Sequence, residues 1–382
     1  MAVKIVRDPK KIALIGAPSS AGSHGPGAER APAALRAAGL TARLETAGFS
    51  VHDLGDGPTR LYAADDEHPR ARNTTAVVEV MSALRLHVEQ AVKSGALPLI
   101  LGGACAITPG TIAGARRYYR EVGLLWLDRD ADLNTPATTP SGCLHGMTVA
   151  HITGRGAPEM VRFYSESPMV RDPNVALFGL ERLDPPEEQV LATTPIRSYL
   201  AADILRRGVA DTARAALERI HAGTMPFVLH FDVDITSSED FSACEFPGTG
   251  GLRLEHVREA LEIFFRAPNL IAVEVAAYVP DRDADGAGAR LLVDLIVTAL
   301  AARLAALTHT EEAAAPAASA PAPAAEPVSG EPAPAPAAES IATSEESSAG
   351  GSTPVAVADV DSAPSAEPAA GEPAPEPSPS TS

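Results

Sequence analysis

Short apolar runs alternate with longer amphipathic segments along the first 310 residues of this 382-residue chain. Most of the runs are rich in Val, Ile and Leu, which is typical of strands that are buried on both faces. Strands that alternate with helices form a parallel sheet with helices on both sides, so the pattern predicts an α/β fold. The predicted strands are Lys11–Gly16, Ser50–Leu54, Leu97–Leu101, Gly123–Asp128, Asn174–Phe178, Pro195–Tyr199, Phe227–Asp232 and Leu270–Val275.

The amphipathic segments between these runs predict the helices that cover the sheet. A long apolar stretch near residue 300 predicts a final helix that packs on the core. The predicted helices include Glu29–Ala47, Thr75–Ser94, Asp203–Ala222, Leu254–Arg266 and Ala287–Leu307.

The last 72 residues differ in composition from the rest of the chain. The segment Glu311–Ser382 contains 12 acidic residues and 14 prolines but no Lys, Arg or aromatic residue. Such a segment cannot bury enough apolar surface to offset the entropy of ordering it. We therefore predict one domain over residues 1–310 and a disordered, acidic Ala/Pro/Glu/Ser-rich tail over residues 311–382. The tail is expected to act as a solubilising spacer, with a docking role as the alternative.

Charge, apolar content and cysteine number exclude several classes of protein. The chain carries a net charge of −18 and no run of basic residues, which disfavours nucleic acid or an anionic membrane as a partner. No apolar run approaches the roughly 20 residues of a membrane span, and the N-terminus does not resemble a signal peptide. Three cysteines are too few for a disulfide framework. These features predict a cytoplasmic protein.

Acidic side chains follow two of the predicted strands. Asp128, Asp130 and Asp132 alternate after the fourth strand, and Asp232 and Asp234 alternate at the end of the seventh. Alternate residues of an extended segment face the same way, so these carboxylates can converge at one edge of the sheet. Converging carboxylates repel one another unless cations neutralise them, and oxygen ligands favour Mg, Ca or Mn. The sequence thus predicts a site for a pair of metal ions, with ordinary polar loops as the alternative.

Several segments resemble a known family in the same order along the chain. The segment Asp128–Gly146, DRDADLNTPATTPSGCLHG, is similar to the arginase pattern DAHTDxNTPxTTxSGNLHG. Ile15–Pro18, Ala31–Leu40 and Phe231–Asp234 also match. From about Lys11 to Leu307 the chain resembles the arginase branch of the ureohydrolases.

This resemblance implies a fold, a reaction and an assembly. The implied fold is a three-layer α/β/α sandwich with an eight-stranded, mostly parallel sheet that holds two divalent metal ions, normally Mn²⁺. The implied reaction cleaves the guanidinium C–N bond of L-arginine, or of a related guanidino compound, to give urea and ornithine by way of a metal-bridging hydroxide. Members of the family generally form trimers or hexamers, so the chain is expected to be a homo-oligomer.

The metal positions implied by the resemblance are only partly retained. Cys105 and Asp130 stand where the family has metal-binding histidines. Asp130 adds negative charge, as does Cys105 if it binds as a thiolate, and this charge would weaken the metals as Lewis acids. A thiolate also suits zinc or iron better than manganese. The implied metal ligands are Cys105, Asp128, Asp130, Asp132, Asp232 and Asp234.

The substrate positions match the family more closely. They favour arginine over agmatine, because agmatine has no α-carboxylate to be bound. The implied contacts to the α-carboxylate are Asn134, Thr139 and Ser141, and those to the α-amino group are Asp184 and Glu187. The implied catalytic residues are His145 as a proton shuttle, Glu274 as the partner of the guanidinium, and Asp132.

Arg129 lies between two of the carboxylates and raises an alternative to metal binding. A guanidinium could neutralise the cluster without metal, although residue i+1 of an extended chain points away from i and i+2. Three functions remain open on these residues. They are a metal-dependent hydrolase, a catalytically inactive homologue, and an oligomeric protein that senses arginine or ornithine.

Overall fold

A computed structural model describes residues 7–220 and 225–314, and eight parallel strands form one sheet within this part of the chain. Their order across the sheet is β2-β1-β3-β8-β7-β4-β5-β6. All eight predicted strands are confirmed, with ends that differ by at most two residues. The strands are β1 Lys11–Ala17, β2 Ser50–Asp56, β3 Leu97–Gly102, β4 Gly123–Leu127, β5 Val175–Leu180, β6 Arg197–Leu200, β7 Phe227–Asp232 and β8 Leu270–Ala276.

The helices lie between the strands, and two of the predicted ones are interrupted by glycine. Gly39 separates α1 from α2 with φ 87°, and Gly208 separates α8 from α9 with φ 94°. Positive φ values are incompatible with a continuing right-handed helix. The helices are α1 Ala31–Ala37, α2 Leu40–Thr46, α3 Thr74–Lys93, α4 Thr108–Arg116, α5 Thr148–Ile152, α6 Pro158–Val161, α7 Pro185–Thr193, α8 Ala201–Arg207, α9 Val209–Arg219, α10 Leu254–Arg266 and α11 Ala287–Ala314.

Each face of the sheet has its own hydrophobic core, so the fold has three layers as predicted. Along β1, Ile12 and Leu14 join the core shared with α1, α10 and α11. Ala13 and Ile15 face the opposite core, which α3 and α4 cover. Successive side chains of a strand point to opposite faces, and here both faces are apolar. Polar groups are therefore concentrated at the carboxyl ends of the strands.

The last helix corrects two expectations from the sequence. Among the described helices, α11 alone contains a segment, Ala287–His309, of the length and apolarity of a membrane span, with a mean hydropathy of 2.0. The statement that no apolar run approaches this length is therefore wrong. Leu292, Ile296 and Leu300 of this helix are buried in the core, as in the core helix of a water-soluble domain. The helix also continues to Ala314, four residues past the predicted domain end, and the rest of the predicted tail lies outside the described residues.

Candidate metal and substrate site

The pairing of β4 with β7 brings the two acidic motifs side by side. Leu127 pairs with Phe231, so Asp128, which follows β4, lies next to Asp232 at the end of β7. Two groups of possible metal-ligand atoms result, and within each group all atoms lie within 4.8 Å of one another. Asp128 belongs to both groups. The first group is Cys105, Asp128, His230 and Asp232, and the second is Asp128, Asp130 and Asp234.

Short hydrogen bonds hold the carboxylates of this cluster in place. The backbone N–H of Asp130 donates to Oδ1 of Asp128 at 2.8 Å, and that of Asp234 donates to Oδ1 of Asp232 at 2.7 Å. The Cys105 thiol follows β3 and donates to Oδ2 of Asp232 at 2.9 Å. The local alternation of each motif thus points its carboxylates into one buried space.

Burial and mutual repulsion raise the pKa values of these groups. Burial is the largest cause for Asp128, Asp232 and Cys105, and the neighbouring carboxylates add to it. The pKa of Asp130 is raised to about 6, mainly by burial and next by Asp234, while Arg182 acts in the opposite direction. A carboxylate cluster of this kind binds either protons or cations.

The guanidinium in the cluster belongs to Arg182 and not to Arg129. Arg129 is buried but points away, to Oε2 of Glu181 at 2.9 Å and to the carbonyl of Gly250 at 3.1 Å. The neutralising role considered for Arg129 is therefore wrong, because its side chain leaves the opposite side of the extended segment.

Arg182 makes the contacts that were considered for Arg129. Its Nε donates to Oδ1 of Asp130 at 2.8 Å, and one terminal nitrogen donates to Oδ2 of Asp130 at 2.5 Å and of Asp234 at 3.0 Å. An isolated backbone bridge between Asp130 and Arg182 supports this geometry. One arginine thereby connects the two acidic motifs.

Glu274 does not reach the place that the resemblance implies. It lies fully buried within β8, where Oε1 accepts from Thr108 at 2.6 Å and lies 3.0 Å from Nδ1 of His230. Its Oε2 accepts from Thr111 at 2.5 Å. Because both oxygens are engaged below the acidic cluster, the structure does not offer this carboxylate to a guanidinium in the cavity.

Asp132 is also displaced from its implied position. It is absent from both donor groups and has φ 50°, a strained value for a residue other than glycine. Within the described residues its Oδ2 is buried without a hydrogen-bond partner, while the residue lines the adjacent cavity. A strained, unpaired carboxylate at such a place is typical of a functional site.

A cavity of about 350 Å³ adjoins the cluster, and all five predicted substrate residues line it. It is also lined by three charged or aromatic residues that were not predicted, His24, Arg182 and Phe246. Its lining is His24, Asp130, Asp132, Asn134, Thr139, Pro140, Ser141, His145, Gly146, Arg182, Leu183, Asp184, Glu187 and Phe246.

The acidic end of the cavity is organised by the start of α7. Asn134 donates from Nδ2 to Oδ2 of Asp184 at 2.8 Å. Both oxygens of Glu187 accept backbone N–H groups, from Leu133 and from Asp184, each at 2.9 Å. Burial raises the pKa of Glu187, whereas these two hydrogen bonds lower it by a smaller amount. Glu187 therefore joins the loop to the helix, which leaves Asp184 as the more exposed carboxylate.

The loop before α5 forms a second wall of the cavity. Oγ1 of Thr139 accepts the backbone N–H groups of Ser141 and Gly142 at 3.3 and 3.0 Å. Oγ of Ser141 accepts the N–H of Cys143 at 3.2 Å, and its own proton can still be donated to an anion. The predicted contacts to the α-carboxylate thus lie in one ordered turn.

His145 forms an aromatic group with two residues of other segments. Its ring stacks on Phe246 at 5.3 Å between centroids and meets the ring of His24 edge-on at 4.9 Å. Burial lowers the pKa of His145 to about 4, with Asp130 opposing this change. The imidazole is therefore neutral near pH 7 and can receive a proton as a weak base.

Sequence patterns contain a signal for part of what was missed. His230 lies two residues before Asp232 on the same strand, so both side chains share a face of the sheet. Arg182 follows the end of β5, at the edge where the acidic motifs lie. No comparable signal marks His24 or Phe246, which belong to loops.

The first group of donor atoms can hold a divalent cation. The first group combines sulfur, nitrogen and oxygen donors, and Nε2 of His230 is buried without a partner within the described residues. A buried nitrogen without a hydrogen-bond partner costs free energy unless it binds a ligand. In the second group, Arg182 already supplies positive charge to Asp130 and Asp234.

Comparisons with known proteins agree with this fold. A model of the arginase family matches residues 10–302. The chain is 32% identical to an arginase of Bacillus caldovelox over 291 residues, which cover 75% of this chain and 97% of that protein. It is 29% identical to an arginase of Bacillus subtilis over 296 residues, or 77% of this chain and 99% of the relative.

Solved structures give the same result. A crystal structure of arginase from Bacillus cereus superposes with a TM-score of 0.71 at 30% identity and covers 76% of this chain and 98% of its own. One of the Bacillus subtilis arginase superposes with a TM-score of 0.70 at 28% identity, with the same coverage. With this match in sequence and fold, the chain belongs to the arginase family of ureohydrolases.

Proposed function

We propose that this protein is a metal-dependent hydrolase that cleaves the guanidinium C–N bond of L-arginine, or of a related guanidino amino acid, to urea and ornithine. The cavity itself is the main observation in support of this proposal. It is lined by the Ser141 turn, by the Asp184 carboxylate and by Asp130, which belongs to the acidic cluster. A guanidino amino acid has charged groups at both of its ends and matches this arrangement.

The α-amino acid end of the substrate would bind between the two walls. Asp184 attracts the ammonium group, while the hydroxyl of Ser141 donates to the carboxylate. Thr139 holds the turn that presents Ser141, and Asn134 orients Asp184 through its 2.8 Å hydrogen bond. Charge-assisted hydrogen bonds of this kind raise the affinity for a substrate and also fix its position.

The reacting end would lie over the acidic cluster. Cys105, Asp128, His230 and Asp232 would hold a divalent cation, whose chemistry is to activate water for attack on the guanidinium carbon. Asp132, with its unpaired oxygen, can accept a hydrogen bond from the substrate. His145 lines the same cavity and, as a neutral imidazole, can take up a proton released by the attacking water and pass it to the departing ornithine amine.

A urea assay on the full-length chain tests the proposal. The protein is loaded in turn with Mn²⁺, Zn²⁺ or Co²⁺ and offered L-arginine, agmatine and other guanidino compounds. We expect urea from L-arginine and little from agmatine, which lacks the carboxylate that Ser141 binds. Failure of every metal and substrate to yield urea would exclude the hydrolase.

A second candidate is a non-catalytic protein that binds arginine or ornithine. Two observations favour it, the pairing of Arg182 with Asp130 and Asp234, and the burial of Glu274 away from the cavity. Under this alternative, ornithine should raise the melting temperature of the metal-free protein although no urea is formed.

We further propose a cytoplasmic location, a trimeric or hexameric homo-oligomer, and no role for nucleic acid or membrane. The family resemblance supports the assembly, and the acidic net charge of −18 supports the exclusion of nucleic acid. The composition of residues 315–382 supports a solvated appendage that is separate from the catalytic domain.

A further inference from the structure

We propose that the site takes a single zinc-type ion at Cys105, Asp128, His230 and Asp232, and that the guanidinium of Arg182 occupies the place of a second ion. This inference deepens the proposed function, on which it rests for the need of a metal. It changes the expected stoichiometry from two ions to one, and the expected ligand set from oxygen-rich to mixed.

His230 lies beside the other three proposed ligands of the ion. A ring nitrogen of this residue lies within 4.8 Å of donor atoms from Cys105, Asp128 and Asp232, and all four residues are buried. The ring stacks on Trp126 at 3.6 Å between centroids, with 7° between the planes. It is therefore held in one orientation beside the cluster.

The imidazole of His230 is hydrogen-bonded through one of its two ring nitrogens. Nδ1 of His230 lies 3.0 Å from Oε1 of Glu274, and donation there leaves the lone pair on Nε2. Within the described residues, Nε2 is buried without a partner. A carboxylate behind the ring is the usual support of a metal-binding histidine. Glu274 thus acts as a positioning residue for His230.

The donor atoms of the first group favour a zinc-type ion. Thiolate and imidazole ligands favour Zn²⁺, Fe²⁺ or Co²⁺, whereas Mn²⁺ prefers oxygen. Mixed S, N and O donors are typical of zinc, which can expand from four to five ligands and so still bind the water that the proposed reaction needs. Cys105, which donates to Asp232 at 2.9 Å, would lose its proton when it binds such an ion.

Arg182 brings a positive charge to the carboxylates of the second group. Its guanidinium makes three hydrogen bonds of 2.5 to 3.0 Å to Asp130 and Asp234, which are the carboxylates that a second ion would need. A metal ion there would have to displace Arg182 or lie directly against its positive charge. Two cations a few ångströms apart repel strongly in a buried setting.

Metal titration of the full-length, metal-free chain tests this inference without relying on activity. Calorimetry with Zn²⁺ and Co²⁺ should give one ion per chain, and Co²⁺ should produce the near-ultraviolet charge-transfer band of a thiolate ligand. Two ions per chain in the unaltered protein, or no thiolate band, would overturn the inference.

Variants separate the two halves of the site. Cys105→Ser should remove the thiolate band, and His230→Gln should weaken Co²⁺ binding at least about tenfold. Arg182→Met should raise the stoichiometry to two, whereas Arg182→Lys, which keeps the charge, should leave it at one. A stoichiometry of one in Arg182→Met would show that Arg182 does not exclude the second ion.

A matched control uses another arginine that binds an aspartate in the same way. Arg253 donates from two nitrogens to Asp240, both at 2.6 Å, on an exposed surface. Arg253→Met should leave the stoichiometry at one, and circular dichroism should confirm that every variant is folded. A second ion in this control would contradict a specific role for Arg182.

The metal titration tests the single-ion site and the urea assay tests the hydrolase, so either proposal can fail without the other. One bound ion without urea from any guanidino compound would remove the hydrolase and keep the single-ion site. Two bound Mn²⁺ ions with urea release would remove the single-ion site and keep the hydrolase.

Discussion

Nδ1 of His230 and Oε1 of Glu274 lie 3.0 Å apart on the paired strands β7 and β8, and both side chains are fully buried. The strand register sets this distance, because His230 pairs directly with Glu274. The pair lies beneath the acidic cluster and connects it to the interior of the sheet. Charged or polar pairs of this kind are stabilising only while every member is bonded.

Replacing Glu274 by Ala should therefore destabilise the fold. The change leaves the side chains of Thr108, Thr111 and His230 without their common acceptor. We expect a loss of about 3–5 kcal/mol in the free energy of unfolding, measured by urea denaturation of the metal-free protein. Glu239→Ala, at an exposed ion pair with Arg253, should cost about 1 kcal/mol or less. Equal losses in the two variants would contradict a structural role for Glu274.

Replacing Asp184 by Asn should weaken the binding of ornithine. Asn keeps the shape of the side chain and its ability to begin α7, but it removes the charge that the ammonium group needs. We expect affinity to fall about ten- to hundredfold by calorimetry, consistent with about 1.5–3 kcal/mol for a hydrogen bond to a charged group. Glu188→Gln, an exposed neighbour on the same helix, is the control and should bind normally. Unchanged affinity in Asp184→Asn would place the ammonium group elsewhere.

The Ser141 turn should not tolerate a side chain at Gly142. This residue has φ 74°, and a Cβ there would lie 2.0 Å from the carbonyl oxygen of Pro69. Gly142→Ala should lower the free energy of unfolding by about 1–3 kcal/mol and displace Ser141. Gly146→Ala, in the same loop but with no atom within 4 Å of the added Cβ, should remain close to wild type. Thermal melting of the two variants measures the difference.

His151 should make the fold sensitive to acid. It is buried in α5, both ring nitrogens lack a partner within the described residues, and burial lowers its pKa to about 3. Between the ordinary pKa of 6.5 and this value, the unfolded chain binds a proton that the folded chain does not, so stability falls as the pH falls.

His151→Leu removes this contribution. From pH 7 to pH 5, the variant should lose about 2 kcal/mol less stability than the wild type in parallel urea titrations. The difference between the two pH profiles isolates His151 from the carboxylates, which titrate in both proteins. Parallel profiles would mean that His151 is protonated as readily in the folded chain as in the unfolded one.

Deletion of residues 315–382 should leave the arginase-like domain intact. The cut falls after the last residue of α11, and the deleted segment has no aromatic, Lys or Arg residue with which to pack. We expect the melting temperature to change by a few degrees at most, as for a surface change. Loss of solubility or of assembly in sedimentation experiments would show that the tail contacts the domain or joins subunits.

Local patterns alone determined the strands and the shape of each acidic motif. A strand such as Phe227–Asp232 is recognisable because four of its six residues are apolar, and it appears with the same bounds in the structure. Asp128 and Asp130 follow one another at alternate positions, so their approach depends only on a few neighbouring dihedral angles. Residues of this kind are predictable because their neighbours in sequence are also their neighbours in space.

The partners of those motifs were decided only by the tertiary structure. Arg182 and not Arg129 binds Asp130, since β5 lies beside β4 and brings a residue 52 positions away into contact. Likewise, the register of β7 and β8 buries Glu274 against His230 and keeps it out of the cavity. Strand order and register depend on how the whole chain packs its two apolar faces, so no local pattern specifies which charges finally meet.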